Sequence, residues 1–198
     1  MHQTFSPEGY NKYIRTLCLQ YDPFNDRVIS VIKARQPQTV ISLGCGIGNL
    51  EVRLQKELPG TTIIGVDRDK QSLDYLAERE PKIQVVHSEL KDYDFPYADV
   101  YLAGTSLHHL NGERNKVLKR ILERADLFVN FEMFAGFDHI IKERLEPEYS
   151  FNLWKEESSK VDYLQTFSDE MAELKELGVF PKVLQLSMPF GLYIVHKR

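Results

Sequence analysis

Cysteine is nearly absent: Cys18 and Cys45 are the only two in the chain. Two thiols are too few for a disulfide scaffold or a cysteine-ligated metal centre, and no metal site is expected. Long apolar runs are missing as well. None approaches the roughly 18 residues of a membrane span, so no membrane role is expected. The start, Met1-His2-Gln3-Thr4-Phe5-Ser6-Pro7, lacks a basic region followed by an apolar core, so a signal peptide is not expected and the expected location is cytoplasmic. There is no excess of positive charge either. Lys and Arg total 25 against 29 Asp and Glu, a net charge of −4, which argues against a nucleic-acid surface. No internal repeat or low-complexity tract appears. A length of 198 residues with 42% apolar content fits one globular domain with a full core.

The stretch with most information is Val40 to Leu50. Thr39 to Leu43 is a short apolar run with β-branched residues, and Gly44, Gly46 and Gly48 follow at every second position. Ile47, Leu50, Leu54 and Leu58 then recur at helical spacing until Pro59-Gly60. This reads as strand, glycine turn and helix. Such a turn brings backbone close to a ligand with no Cβ in the way, beside N–H groups expected to be unpaired. Thr61 to Asp67 reads as a second buried strand ending in a carboxylate, 23 residues (67 − 44) after the first glycine. In a βαβ unit that acid stands at the neighbouring strand tip, where it can accept both hydroxyls of a ribose. The glycine spacing differs from Gly-x-Gly-x-x-Gly, and no Gly-Lys-Ser/Thr follows, which excludes a Walker phosphate loop.

At these residues the chain resembles the class I S-adenosylmethionine (SAM)-dependent methyltransferases. Their first motif is similar to Val40 to Leu50, and the end of their second strand is similar to Val66-Asp67. One departure is visible: the family usually has an acid two positions before the first glycine, near the cofactor's amino group, and here that residue is Ser42. The resemblance implies a fold, a Rossmann-like α/β domain. It has a seven-stranded, mostly parallel sheet with one antiparallel strand near the C-terminus and helices on both faces. It also implies methyl transfer from SAM, leaving S-adenosylhomocysteine.

The resemblance assigns cofactor contacts residue by residue. Gly44, Cys45, Gly46 and Gly48 would admit the cofactor, and Asp67 would take the ribose. Arg68 would stack on adenine or stay in solvent. Ser88-Glu89-Leu90 stands where the family commonly has Gly-Asp and an apolar residue, so Glu89 would accept from the adenine amino group or remain a solvated loop acid. Asp99 to Gly104 reads as the fourth strand, and Leu107-His108-His109-Leu110 resembles the run that follows it in small-molecule methyltransferases. Small residues Ala103, Gly104 and Ser106 would leave room for the methionine part. Adjacent histidines point in different directions, so at most one of His108 and His109 faces the site.

The remaining segments frame the acceptor side. Pro7 to Gln20 reads as a helix capped by Ser6, an N-terminal lid over residues 1–21, with Tyr13 and Tyr10 as acceptor-side candidates. Asp22-Pro23 reads as the start of a second helix. Asp69 caps a helix after the second strand, and Asn111 one after the fourth. On that latter helix Arg114, Lys116, Lys119, Arg120 and Arg124 form a basic face, solvated or phosphate-docking. Leu127 to Glu132 is a fifth strand. Glu132 at its end would be a base, a ligand for a cationic acceptor or a solvated acid. Residues 133–165 form an insertion longer than usual, a lid or a dimer surface, with helices expected over Asp138–Leu145 and Asn152–Val161. Ser168 caps a last helix, and two strands close the chain.

The expected activity is methyl transfer to a small-molecule O or N acceptor, with His108, His109, Glu132 and Tyr13 as residues that orient or deprotonate it. The absence of Asn/Asp-Pro-Pro-Tyr after the fourth strand argues against adenine, cytosine or glutamine amino methylation. Rival readings are a protein or peptide methyltransferase, an aminocarboxypropyl transferase, or a non-catalytic SAM-binding subunit. A homodimer is compatible with all of them.

Overall fold

The computed structural model describes residues 6–146, 149, 155 and 163–197. Seven strands form one sheet: β1 Thr39–Leu43, β2 Thr62–Asp67, β3 Gln84–His87, β4 Ala98–Gly104, β5 Ala125–Met133, β6 Lys182–Ser187 and β7 Phe190–His196. Their spatial order is β3-β2-β1-β4-β5-β7-β6. β7 runs opposite to the other strands and pairs antiparallel with both β5 and β6. The parallel register sets Leu43 beside both Val66 and Ala103, so Gly44, Asp67 and Gly104 leave the sheet at one edge. That edge is the carboxyl end of the strands, where open α/β sheets bind ligands.

Among the described residues, helices pack around the sheet: α1 Pro7–Leu17, α2 Tyr21–Lys33, α3 Asn49–Glu57, α4 Lys70–Arg79, α5 Arg114–Arg124, α6 Asp138–Leu145 and α7 Phe167–Glu176. The two-residue period of the strands divides the core. Val40, Val100, Leu102, Leu127, Val129 and Phe131 meet Phe24 and Val28 of α2, Leu54 of α3 and Leu76 of α4. Ile41, Leu43, Tyr101, Ala103 and Phe128 face the other way, onto Val117, Leu118 and Ile121 of α5 and Leu174 of α7. No helix among the described residues is long and apolar enough to cross a membrane.

Local signals place several helix ends. The Ser6 side chain accepts from the Gly9 N–H at the start of α1, and Asp69 accepts from the Gln71 N–H at the start of α4. Other ends differ from expectation. α1 stops at Leu17, and α2 already begins at Tyr21. Asp22 lies inside α2 and receives the Arg15 guanidinium in a fork, at 3.0 and 2.9 Å, which fixes the bend between the two helices. Asn111 caps nothing; α5 starts at Arg114 after Glu113, without a side-chain cap. Thr166, not Ser168, caps α7, because its Oγ1 accepts from the Asp169 N–H and donates to the Asp169 carboxylate at 2.7 Å. The helix expected over 152–161 lies outside the described residues, apart from residue 155.

The turn after β1 is shaped by crowding. A Cβ on Gly44 would stand 2.4 Å from the Ser106 Cβ, and one on Gly48 would stand 2.2 Å from Leu76 Cδ1. Gly46, with φ +52, has open space at that position. Gly48→Ala therefore suffers a clash with α4 besides its left-handed backbone (φ +72) and should lose about 2–5 kcal/mol of unfolding free energy. Gly46→Ala should lose only the backbone share, about 1–2 kcal/mol. Urea denaturation of the two variants checks the difference.

Candidate functional site

At the carboxyl edge of β1, β2 and β4 lies a cavity of about 900 Å³. Its floor is the glycine turn. Four of its N–H groups are already bonded, contrary to the sequence reading. Those of Gly44 and Cys45 donate to the Val66 carbonyl, that of Gly48 to the Cys45 carbonyl, and that of Gly46 to Asp67 Oδ2 at 2.8 Å. At these four positions the turn offers space rather than donors. Asp67 is fixed at both oxygens, since Oδ1 accepts the Asp69 N–H at 2.8 Å. Two bonds leave about half of a carboxylate's four lone-pair sites for a ligand's hydroxyls.

Ten of the twelve residues expected to contact a cofactor line this cavity: Gly44, Cys45 and Gly46 on the floor, Asp67 and Arg68 at the end of β2, Ser88, Glu89 and Leu90 after β3, and Gly104 and Ser106 after β4. Gly48 and Ala103 stand outside the wall. Gly48 is the point where α3 meets Leu76, and Ala103 points to the α5 face of the sheet by strand alternation. Ser106 also has a structural duty, as its Oγ donates to the Leu43 carbonyl at 2.8 Å.

The four acceptor-side candidates divide. Tyr13 and His109 line the cavity. His108 and Glu132 are buried behind it. β5 alternates, so Phe131 reaches the cavity while Asn130 and Glu132 face the α5–α7 layer. There the His108 Nδ1–H donates to Glu132 Oε1 at 2.5 Å, and the Met133 N–H donates to the same oxygen at 2.9 Å. Burial pushes the Glu132 carboxyl up, but His108 and then Arg114 outweigh it and hold it below the usual range.

Arg114 corrects the expectation of a solvated basic face on α5. It is buried, 2.7 Å from Glu170 Oε1 and 3.3 Å from Glu173 Oε2. Burial raises Glu170 to about 6 despite Arg114. The Tyr193 hydroxyl donates to the same carboxylate at 2.5 Å, and Asn130 Nδ2 donates to it at 3.1 Å. Lys116 and Lys119 of the same helix are exposed.

Several wall residues were not singled out from sequence. Tyr21 and Asn25 of α2, Tyr75 of α4, Thr105 and Phe131 all contribute. Tyr10 joins Tyr13 and Tyr21 in an aromatic side. Burial first, then the neighbouring tyrosines and the carboxylates of Glu51 and Asp67, push the Tyr10 hydroxyl far up. The most informative omission is Glu51. It is 4% exposed, lines the cavity, and accepts from Ser42 Oγ at 2.5 Å. A signal existed: Glu51 stands four residues after Ile47 and three before Leu54, on the apolar stripe of α3. In all, Glu8, Glu51, Asp67, Asp69 and Glu89 line the cavity against a single guanidinium, Arg68, among the described residues. Such a wall suits a cation or a neutral ligand. No cluster of His, Cys, Asp or Glu among the described residues could hold a metal ion.

Comparison with known proteins agrees with this geometry. Residues 40–125 match the model of the methyltransferase domain family. The chain is 27% identical over 118 residues to trans-aconitate 2-methyltransferase of Mycolicibacterium gilvum, covering 59% of this chain and 45% of that protein. It is 29% identical over 96 residues to tRNA (guanine-N(7)-)-methyltransferase of Eremothecium gossypii, covering 48% and 30%. The chain thus spans less than half the length of these curated relatives. In fold it resembles the plantazolicin methyltransferase BpumL, solved in complex with a triazolic desmethylPZN analog and SAH, with a TM-score of 0.76 at 11% identity over 98% of this chain and 92% of that one.

The buried ion cluster gives a direct test of the placement of Arg114. Arg114→Met leaves Glu170 and Glu173 buried without their cation and should cost about 3–5 kcal/mol. Lys119→Met on the exposed side should stay within about 0.5 kcal/mol. Urea unfolding monitored by circular dichroism reads both.

Proposed function

We propose, from a chain built as a class I SAM-dependent methyltransferase domain, that it transfers a methyl group from SAM to a small-molecule O or N acceptor. The observation that carries this reading is the cavity itself. One wall unites the ends of β1, β2 and β4, the Asp67 and Glu89 carboxylates and the open face of Gly46, and that wall is acidic. SAM carries a sulfonium and an α-ammonium against one carboxylate, so its net positive charge is matched there. A volume of about 900 Å³ is near the upper end of the roughly 300–1,000 Å³ of small-ligand pockets, which leaves room for an acceptor beside a nucleoside. Five acids against one arginine disfavour a polyanionic acceptor.

The cofactor supplies an already activated methyl group, so the protein's tasks are positioning, water exclusion and management of one proton. Asp67, fixed through Gly46 and Asp69, presents its remaining lone pairs to ribose hydroxyls. Glu89 accepts from the adenine amino group, and Leu90 and Arg68 flank the ring. Tyr13 and Phe131 shape the acceptor side, and His109 holds or takes the acceptor's proton. His108 and Glu132 are positioning residues. Their 2.5 Å bond fixes the 107–109 turn from behind, and His109 with it.

Calorimetry should show binding of both SAM and S-adenosylhomocysteine. Asp67→Ala should weaken both by more than about tenfold through loss of charge-assisted hydrogen bonds. Incubation with SAM and a panel of hydroxyl and amine acceptors, followed by mass spectrometry, should yield S-adenosylhomocysteine and a methylated product. Methylthioadenosine as the product would instead establish aminocarboxypropyl transfer, and tight binding without turnover would establish a binding subunit.

A further inference from the structure

We propose that Glu51 of α3 receives the α-ammonium group of the bound cofactor, held in place by Ser42 of β1. The inference rests on the SAM-binding reading. It starts from the treatment of buried acids. Glu132 has His108, and Glu170 and Glu173 have Arg114, each within 4 Å. Glu51 is as buried as these, yet no ion pair among the described residues includes it. Its oxygen at 2.5 Å is the Ser42 hydroxyl, a neutral donor. Isolated buried carboxylates are costly unless a cation or a proton completes them.

Among the described residues no cation is paired with it. From α1, α2 and the turn, Glu51 is faced by Tyr10, Tyr21 and Cys45, each of which burial above all pushes upward, with this carboxylate among the further causes. From β2 it is faced by Asp67, which raises it further. The nearest positive influence is Arg79 of α4, which acts on Glu51 less strongly than burial and the Ser42 bond and whose Nη2 donates to the Ile47 carbonyl at 2.8 Å. Burial favours a proton on Glu51 while the cavity is empty, and because Glu51 lines that cavity a cationic ligand can take the proton's place.

Position selects which charge. Asp67 ends β2 and Glu89 follows β3, so a nucleoside held by them extends outward from β1 toward the sheet edge. Ser42 belongs to β1 and Glu51 to the first turn of α3, and both line the cavity together with Tyr10 of α1 and Tyr21 and Asn25 of α2. A sulfonium has no N–H to donate, whereas an ammonium has three. A carboxylate already oriented by a hydroxyl is suited to the second. The carboxylate that serves the amino-acid end of the cofactor is thus carried by the helix, and β1 carries only its hydroxyl support.

Calorimetry with S-adenosylhomocysteine and 5′-methylthioadenosine tests this, because the second has the same nucleoside and sulfur but no amino-acid end. Glu51→Gln should weaken S-adenosylhomocysteine by about 10- to 100-fold and leave methylthioadenosine within about twofold. Ser42→Ala, a milder change, should show the same selectivity with a smaller loss. The double variant Ser42→Asp/Glu51→Ser, which moves the carboxylate to β1, should recover most of the affinity. Unchanged S-adenosylhomocysteine binding in Glu51→Gln, with or without loss of turnover, overturns the proposal while the SAM reading stands. Equal losses for both ligands also overturn it, because Glu51 then merely shapes the cavity. If the folded wild-type chain binds neither ligand, the SAM reading itself fails.

Discussion

Three points around the turn after β1 have no room for a side-chain carbon, and the rest of the site depends on them. At Gly44 the obstacle is Ser106 from beyond β4, at Gly48 it is Leu76 of α4, and at Gly65 it is the Cys45 sulfur. Each contact joins a different pair of elements. Together they bring β1, β2, β4, α3 and α4 to one edge of the sheet. The open position, Gly46, is left facing the cavity. The tightness of the turn also consumes the amides of Gly44, Cys45, Gly46 and Gly48, which are bonded to Val66, Asp67 and Cys45. Much of the polar grip on a ligand then falls to side chains, and the wall supplies it as carboxylates.

Those carboxylates are managed in two ways. Behind β5, acids and cations are collected into one buried group, with Arg114 between Glu170 and Glu173 and His108 on Glu132. Buried pairs of this kind add little stability over an apolar core, but loss of one partner is costly. They fix the geometry of α5, α7 and the 107–109 turn beneath the acceptor side. In front of β1, the acids are left with neutral partners or backbone N–H groups, so the cavity retains a negative field of its own.

The fold was legible because its signals are local. The apolar run Thr39–Leu43, the alternate glycines and the acid at Asp67 each follow from a few adjacent residues, and the seven-stranded, mostly parallel sheet is what the family resemblance at those residues implied. Helix ends were less legible. Asp22, Asn111 and Ser168 are all good capping residues by type, but Arg15 recruits the first, nothing recruits the second, and Thr166 with Asp169 displaces the third. Strand parity was available in the sequence and went unused. Phe131 and Glu132 must face opposite layers, and that alone removes Glu132 from the cavity wall.

Glu51 and Arg114 show where local reading stops. Both are charged residues on helices, and their types suggest solvent. Their burial depends on what arrives from distant parts of the chain: Ser42 and the α1–α2 cover for the first, Glu170 and Glu173 of α7 for the second. The sequence by itself determined the strand–turn–helix unit, the acid that ends β2 and hence the class of fold, because periodicity, glycine and spacing act over a few residues. Only the tertiary structure decided which histidine reaches the cavity, which acids are paired and which one stands without a cation. Charge pairing in a core is set by three-dimensional proximity, and sequence separation does not encode it.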